Sequence, residues 1–341
     1  MRDLTGAIIG TGYFAGFQAE AWQRIPGVKI AAVADPRVER AQEFASRWGI
    51  PEVYSELEAL LSSTKLDFVD IVTRPEQHLP IVAMAAQRGI HALCQKPMAP
   101  AWGDCLEMVR VCREAKVRLL IHENWRWQPW YRELRRLLDQ GVLGKPLQVE
   151  FRMRTSDGNG PEPYPLQPYF REMPRLLIHE TAVHFLDTFR YLVGEYKAIF
   201  CRSARLNPAI NGEDCVLAYM EFESGARGVI DANRTVGPNP APLTFGALRL
   251  DAEGGHLRVA EDGAVYLGEE GNPETRHEFS APSEGYKGDS VRALQAHQVQ
   301  CLRTGERCES EGEDYLKTVA AVEACYRSAE TGEIVEITRA P

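Results

Sequence analysis

The chain has 341 residues, 44% of them hydrophobic and 26% charged, an ordinary globular balance with room for two domains. A formal charge of −9 with no offsetting basic patch excludes nucleic acid and an anionic membrane as main partners. No apolar run is long enough to cross a bilayer, and Met1-Arg-Asp-Leu-Thr5 leads straight into the first strand, so no signal peptide is expected. The eight cysteines are scattered without a Cys-x-x-Cys pair, which predicts core thiols in a reducing cytoplasm and no metal site.

The N-terminal stretch organises the rest. The apolar run Ala7 to Ile9 breaks into Gly10-Thr11-Gly12 and then into a helical pattern carrying Ala19, Trp22 and Ile25. Gly10 permits a tight turn, Gly12 lets phosphates approach the backbone, and Ala15 is small enough for the helix to pack on the strand. The helix N-terminus offers unpaired N–H groups to a pyrophosphate. A glycine turn alone is an ordinary feature. Here a second strand over 28–34 ends at Asp35, where a dinucleotide fingerprint has its acidic residue. A carboxylate there binds the ribose hydroxyls and repels a 2′-phosphate, so NAD is favoured, with NADP left open by Arg37 and Arg40.

From Gly6 to about Ile121 strands and helices alternate, at 28–34, 37–48, 56–61, 67–72, 78–88, 90–94, 103–115 and 117–121. Short apolar strands such as Phe68-Val-Asp-Ile-Val72 suit a parallel sheet covered on both faces. In such a doubly wound fold the ligand crevice lies at the carboxyl ends of the strands. Asp35, Thr73, Arg74, Pro75, Gln95, Lys96, Pro97 and the run Glu123 to Arg126 all fall there. A helix over 130–140 leads into longer strands at 147–155, 196–205, 213–223, 226–235, 244–251, 255–260 and 264–268, accompanied by helices near 178–193, 289–303 and 312–330. Short turns between consecutive strands indicate an antiparallel sheet. In 215–222 both alternating sets are mostly apolar, so one face meets the domain's own helices and the other calls for a cover, most simply another subunit. The Gly- and Pro-rich stretch 156–174 carries Tyr164, Tyr169 and Phe170 and is expected to cover a substrate.

Two groups can do chemistry. A lysine at position 96 is ordinarily a surface residue, but here it ends a strand on the ligand side, where partial desolvation beside a nicotinamide cation would lower its pKa. It could hold a substrate hydroxyl and relay its proton. The second is His179-Glu-Thr-Ala-Val-His-Phe-Leu-Asp187. His179 and His184 are five apart, roughly 140° around an α-helix, too far to share a metal easily. Glu180, His184, Asp187 and Tyr191 form one stripe, either a solvated face or an acid/base group facing a cleft.

Gly10-Thr-Gly12, Asp35, Thr73-Arg-Pro-Glu-Gln-His78, Cys94-Gln-Lys-Pro97, Asn124-Trp-Arg126 and Glu180-Thr-Ala-Val-His184 together resemble the glucose–fructose oxidoreductase/inositol dehydrogenase (Gfo/Idh/MocA) family across essentially the whole chain. Glu123-Asn-Trp-Arg-Trp-Gln-Pro129 and Met173-Pro-Arg-Leu-Leu-Ile-His-Glu180 resemble its bacterial D-apiose dehydrogenase branch. The resemblance implies an α/β fold: a Rossmann domain with a doubly wound parallel sheet over 1–125, and an α+β domain with a large, mostly antiparallel sheet over 126–341. It implies an enzyme that oxidises or reduces a sugar or polyol, with the substrate between the domains; the scattered thiols and the doubly apolar strand 215–222 add the expectation of a cytoplasmic homodimer or homotetramer. Lys96 and His184 match the family's catalytic residues; Glu180, Arg126 and His179 would orient substrate. Gly10, Thr11, Gly12, Tyr13, Phe14, Asp35, Arg37, Thr73, Arg74, Pro75, His78, Gln95, Lys96 and Asn124 would hold the cofactor. Two departures stand out: Gln95 replaces the usual Glu before the lysine, and Glu180 the usual Asp before the histidine. An NAD-using glycoside hydrolase with transient oxidation, and a non-catalytic dinucleotide-binding regulator, remain the alternatives.

Overall fold

The computed structural model describes residues 3–63 and 65–337. The first half of the chain alternates strand and helix: β1 (Leu4–Ile9), α1 (Ala15–Gln23), β2 (Val28–Ala34), α2 (Val38–Trp48), β3 (Glu52–Tyr54), α3 (Leu57–Ser63), β4 (Phe68–Ile71), α4 (His78–Ala86), β5 (His91–Gln95), α5 (Trp102–Glu114) and β6 (Leu119–His122). There follow α6 (Pro129–Asp139), β7 (Pro146–Arg154), α7 (Val183–Val193), β8 (Tyr196–Ala204), β9 (Cys215–Phe222), β10 (Arg227–Asn233), β11 (Gly246–Ala252), β12 (Gly255–Val259), β13 (Val265–Glu269) and β14 (Thr275–His277). Helices α8 (Ser290–Thr304) and α9 (Gly312–Thr331) and the short β15 (Val335–Glu336) close the described chain.

Two compact units result, Met1–Asn124 with Ser283–Leu316 and Trp125–Pro282 with Lys317–Pro341. In the first, six parallel strands run in the order β3-β2-β1-β4-β5-β6. The order reverses between β1 and β4, which opens a crevice at their carboxyl ends. Strands β1, β4, β5 and β6 bury nearly every side chain, as expected when helices cover both faces. Three-residue β3 is too short to show a period-2 pattern and is absent from the sequence reading.

That reading also kept 126–341 together, whereas 283–316 groups with the first unit. The cause is local. Val299, Cys301 and Cys308 are buried in the same core as Ile8, Ala19, Trp22 and Leu120, and Asp289 at the start of α8 is an ion-pair partner of Arg24, which caps the end of α1.

The second unit carries nine strands in the order β14-β13-β12-β11-β7-β10-β9-β8-β15. All neighbours are antiparallel except β7 and β10, which run parallel. On β9, Val216, Ala218, Met220 and Phe222 are buried while Leu217 is 57% exposed. The alternation therefore resolves into one core face and one open face within this chain. The expected helix over 178–193 is composite: a π-helical turn, Leu177–Ala182, precedes α7. Its stripe of Glu180, His184 and Asp187 is not a solvated face, because all three are buried.

Candidate active site

The glycine turn after β1 is built as its chemistry requires. Gly10 has φ +94°, and a Cβ there would meet the carbonyl oxygen of Val72 at 2.7 Å, so glycine alone fits. At Gly12 an added Cβ would find its nearest neighbour at 3.9 Å. That side of the turn is open, which leaves room for a phosphate to approach the backbone. Ala15 is fully buried at the first position of α1.

Asp35, buried at the end of β2, reaches back to this turn. Its Oδ2 accepts from the Thr11 N–H at 3.0 Å and the Thr11 hydroxyl at 2.8 Å, and its Oδ1 accepts from the Arg37 N–H at 3.0 Å. Burial works against the charged form, but these hydrogen bonds, aided by the Arg37 guanidinium, outweigh it and hold the carboxyl below its ordinary value. A carboxylate offers about four acceptor positions. Three are used by the protein, and Oδ1 keeps capacity for a ribose hydroxyl. The residues fit a dinucleotide. Arg37, largely exposed, has its Nε 3.6 Å from the same carboxylate.

Behind the turn runs a buried polar chain that the sequence did not announce. Asp70, inside β4, accepts from Gln18 Nε2 and Trp22 Nε1, both at 2.6 Å. Gln18 Oε1 accepts from Gln95 Nε2 at 3.0 Å, and Gln95 Oε1 accepts from the Lys96 N–H at 2.9 Å. Complete burial raises the Asp70 pKa to about 7, against the pull of the two donors. The chain explains how Gln95 fits here. An amide both donates to Gln18 and accepts from Lys96, which a carboxylate could not do. Lys96 itself is half-buried at the end of β5, joined to Pro97 by a cis peptide bond.

The other nucleotide-side residues sort by exposure. Tyr13 is 45% exposed, and Arg74 is exposed beside half-buried Thr73. Phe14 packs edge-on against Tyr286 and His122. Pro75 begins a 3₁₀ turn and is buried. His78 has no exposed surface. Its Nδ1 and Nε2 lie 3.1 and 3.2 Å from the carbonyls of Met98 and Thr73, and burial lowers its pKa. It braces two ligand-side loops from behind. Asn124, also buried, donates to the Ser290 hydroxyl at 2.8 Å.

In the second unit the helix-borne residues share one buried environment. The ring of His184 stacks on Trp125 at 4.6 Å, and Trp125 stacks in turn on Phe245 at 5.3 Å. Arg126 forms a two-pronged pair with Asp187, Nε to Oδ2 and Nη2 to Oδ1 both at 2.6 Å. Thr318 adds a bond to Asp187 at 3.0 Å. The guanidinium expected to orient substrate thus has two of its donors committed inside the protein.

His179 and Glu180 are buried in the π turn. His179 lies in the π turn and His184 in α7 beyond it, so the 140° separation expected for one continuous α-helix does not apply to the pair. Glu213, unremarked in the sequence, caps this turn. Its carboxylate accepts from the N–H groups of Leu176 and Ile178 at 3.2 and 2.9 Å, an anion where helix dipole and orphan donors favour one.

Arg234 was also missed. It pairs with Asp157, donates to the Thr181 hydroxyl at 3.0 Å and lies 3.7 Å from Glu180. The 156–174 loop is tied down by this arginine and by Asn207, which donates to the carbonyls of Gly158 and Gly160. Tyr164, Phe170, Leu176 and Ile210 give it a small core of its own.

The whole chain has known counterparts. Residues 4–123 match the model of the Gfo/Idh/MocA oxidoreductase family with an NAD-binding Rossmann fold, and residues 131–254 match the Gfo/Idh/MocA C-terminal domain. The chain is 34% identical to D-apiose dehydrogenase of Rhizobium rhizogenes over 99% of its own length and 98% of that protein's. It is 25% identical to myo-inositol 2-dehydrogenase of Thermotoga maritima, over 97% of each. A crystal structure of an oxidoreductase from Agrobacterium radiobacter, solved with NAD+, L-tartaric acid and magnesium, superposes with a TM-score of 0.91 at 32% identity, covering 98% of both chains. The chain belongs to the Gfo/Idh/MocA family of oxidoreductases, and its N-terminal domain is of the family's NAD-binding Rossmann type.

Proposed function

We propose that this protein is an NAD(P)-dependent dehydrogenase of a sugar or related polyol, with an aldose such as D-apiose as the first substrate to try. Full-length similarity at 34% identity to a D-apiose dehydrogenase carries the reading. The glycine turn anchored on Asp35 supports its cofactor side, and Asp35 makes NAD the preferred form. The nicotinamide, when bound, supplies the hydride acceptor or donor.

The chain's own residues handle the rest. Lys96 holds the reacting hydroxyl and takes its proton, and the Gln95 contact fixes the backbone from which it projects. His184, kept flat by Trp125, is the second proton carrier. Glu180 and His179 orient substrate hydroxyls, and Arg126 steadies Asp187 one turn beyond His184. Positioning the carbinol for transfer supplies much of the rate.

The open face around Leu217 and Tyr219 on β9 favours a homodimer or homotetramer. None of the eight cysteines is disulfide-bonded and seven are buried, which suits the cytoplasm. No described helix is long and apolar enough to cross a membrane. A panel of aldoses and polyols offered with NAD or NADP, read by absorbance of the reduced cofactor, tests the reading. It predicts turnover of at least one sugar with NAD; cofactor binding without turnover of any sugar would contradict it.

A further inference from the structure

The C-terminal half of α8 and the loop after it gather three metal-binding side chains that the proposed chemistry does not use. His297 and Cys301 lie one turn apart on α8 and so share a face. Gly305, at φ +75°, ends the helix, and the chain turns back to set Cys308 beside them. The histidine nitrogen and the two sulfurs all lie within 4.8 Å of one another. His297 Nε2 stands 3.5 Å from Cys301 Sγ. Nitrogen and sulfur ligands at ~2.0 and ~2.3 Å from a tetrahedral zinc are about 3.5 Å apart, so this pair is already spaced for one.

The surroundings agree with that use. His297 Nε2 accepts the Glu309 N–H at 3.0 Å, so this nitrogen is the unprotonated one, the form that ligates metal. Cys301 and Cys308 are 2% and 1% exposed, while His297 is half-buried and opens the cluster to solvent. The Glu311 carboxylate, itself paired with Arg118, receives the Cys308 N–H at 3.4 Å and so holds the loop cysteine in place. Two sulfurs and an imidazole select zinc-like ions over magnesium or calcium.

We propose that His297, Cys301 and Cys308 form a site for a borderline-soft divalent cation of the zinc class, with water as the fourth ligand on the His297 side. Binding converts both thiols to thiolates, releases two protons and takes the histidine lone pair from the Glu309 amide. The ion clips the loop to α8. That loop is already laid along β6, where the Ile121 N–H donates to the Ser310 carbonyl at 2.7 Å. The clip therefore stabilises the packing of the returning segment on the nucleotide-binding unit and takes no part in hydride transfer.

Cobalt titration of the reduced, chelator-stripped full chain tests this. The expected result is one equivalent bound, with thiolate-to-cobalt charge-transfer absorption, release of about two protons per ion and displacement by zinc. Zinc should raise the melting temperature by about 5 °C and slow alkylation of Cys301 and Cys308 in sub-denaturing urea, where these buried thiols become reachable, as mapped by mass spectrometry on the wild-type protein. Cys308→Ser and His297→Gln should each weaken cobalt binding about tenfold or more. Absence of the thiolate absorption, protection falling on other cysteines, or unchanged cobalt affinity in the Cys301→Ser/Cys308→Ser variant would overturn the proposal. The alkylation map decides even if a variant fails to fold.

Discussion

Thr11 gives both its backbone N–H and its hydroxyl to a single oxygen of Asp35, at 3.0 and 2.8 Å. Asp35, to which the proposed function gives the reading of the ribose, also fastens the glycine turn, so on that proposal cofactor choice and turn geometry are coupled in one side chain. Asp35→Ser should weaken NAD binding and shift preference toward NADP, since the repulsion of a 2′-phosphate is lifted. Thr11→Val removes only the hydroxyl bond and should weaken both cofactors alike, by roughly 0.5–3 kcal/mol. Fluorescence titration with each cofactor separates the two effects. A wild type that prefers NADP tenfold or more would contradict the role given to Asp35.

Asp70 should impose a pH dependence on stability. Its folded-state pKa is raised from the ordinary 3.8 to about 7, so folding favours the protonated acid. The favourable contribution is whole below about pH 4 and is lost as pH rises to about 7. The rise is on the order of 4 kcal/mol. Asp70→Asn, which cannot ionise, should therefore melt closer to the wild type at pH 5 and gain on it at pH 8. Parallel melting curves for the two proteins across that range would refute the assignment.

The Arg126–Asp187 pair should matter more for stability than for chemistry. The two side chains are 10% and 1% exposed, and removing one partner leaves the other charged and buried. Asp187→Ala should cost about 3–5 kcal/mol, seen as a lower urea midpoint. If Arg126 instead acts chiefly on substrate, Arg126→Met will raise KM steeply with little change in stability.

An oligomer should depend on the open face of β9. Leu217→Asp places a charge on that face and should reduce a dimer or tetramer to smaller species in light scattering. A stable wild-type monomer at micromolar concentration would remove the idea of a subunit interface there.

What the sequence conveyed and what it withheld follow physical lines. The alternation in 215–222 showed which side chains share a face, because a period of two fixes that, but with both sets mostly apolar only the fold shows that Val216, Ala218, Met220 and Phe222 are the buried ones. Gly10 and Asp35 were legible because a turn and its acidic partner sit at a set distance along a βαβ unit. The π turn at 177–182 was not, since the same residues form an α-helix equally well. Asp70 stood in view as a charge within an apolar strand. Its partners, Trp22 and Gln18, lie 48 and 52 residues away, and only the folded sheet unites them. The return of 283–316 to the first unit was hidden likewise, because α8 carries an ordinary amphipathic pattern that does not say which core it joins.

The central claim is the proton relay, and single-turnover hydride transfer in Lys96→Met tests it most directly. The variant should keep its fold and most of its NAD affinity while the chemical step slows by ~10²–10⁴-fold, or about 3–5 kcal/mol of barrier. His184→Ala should slow the same step. Because both act on one proton, the double variant should fall well short of the summed losses. A merely structural His184, stacked on Trp125, predicts a lower melting temperature with unchanged turnover per folded molecule. Hydride transfer near the wild-type rate in Lys96→Met, on the sugar the wild type turns over, would contradict the account.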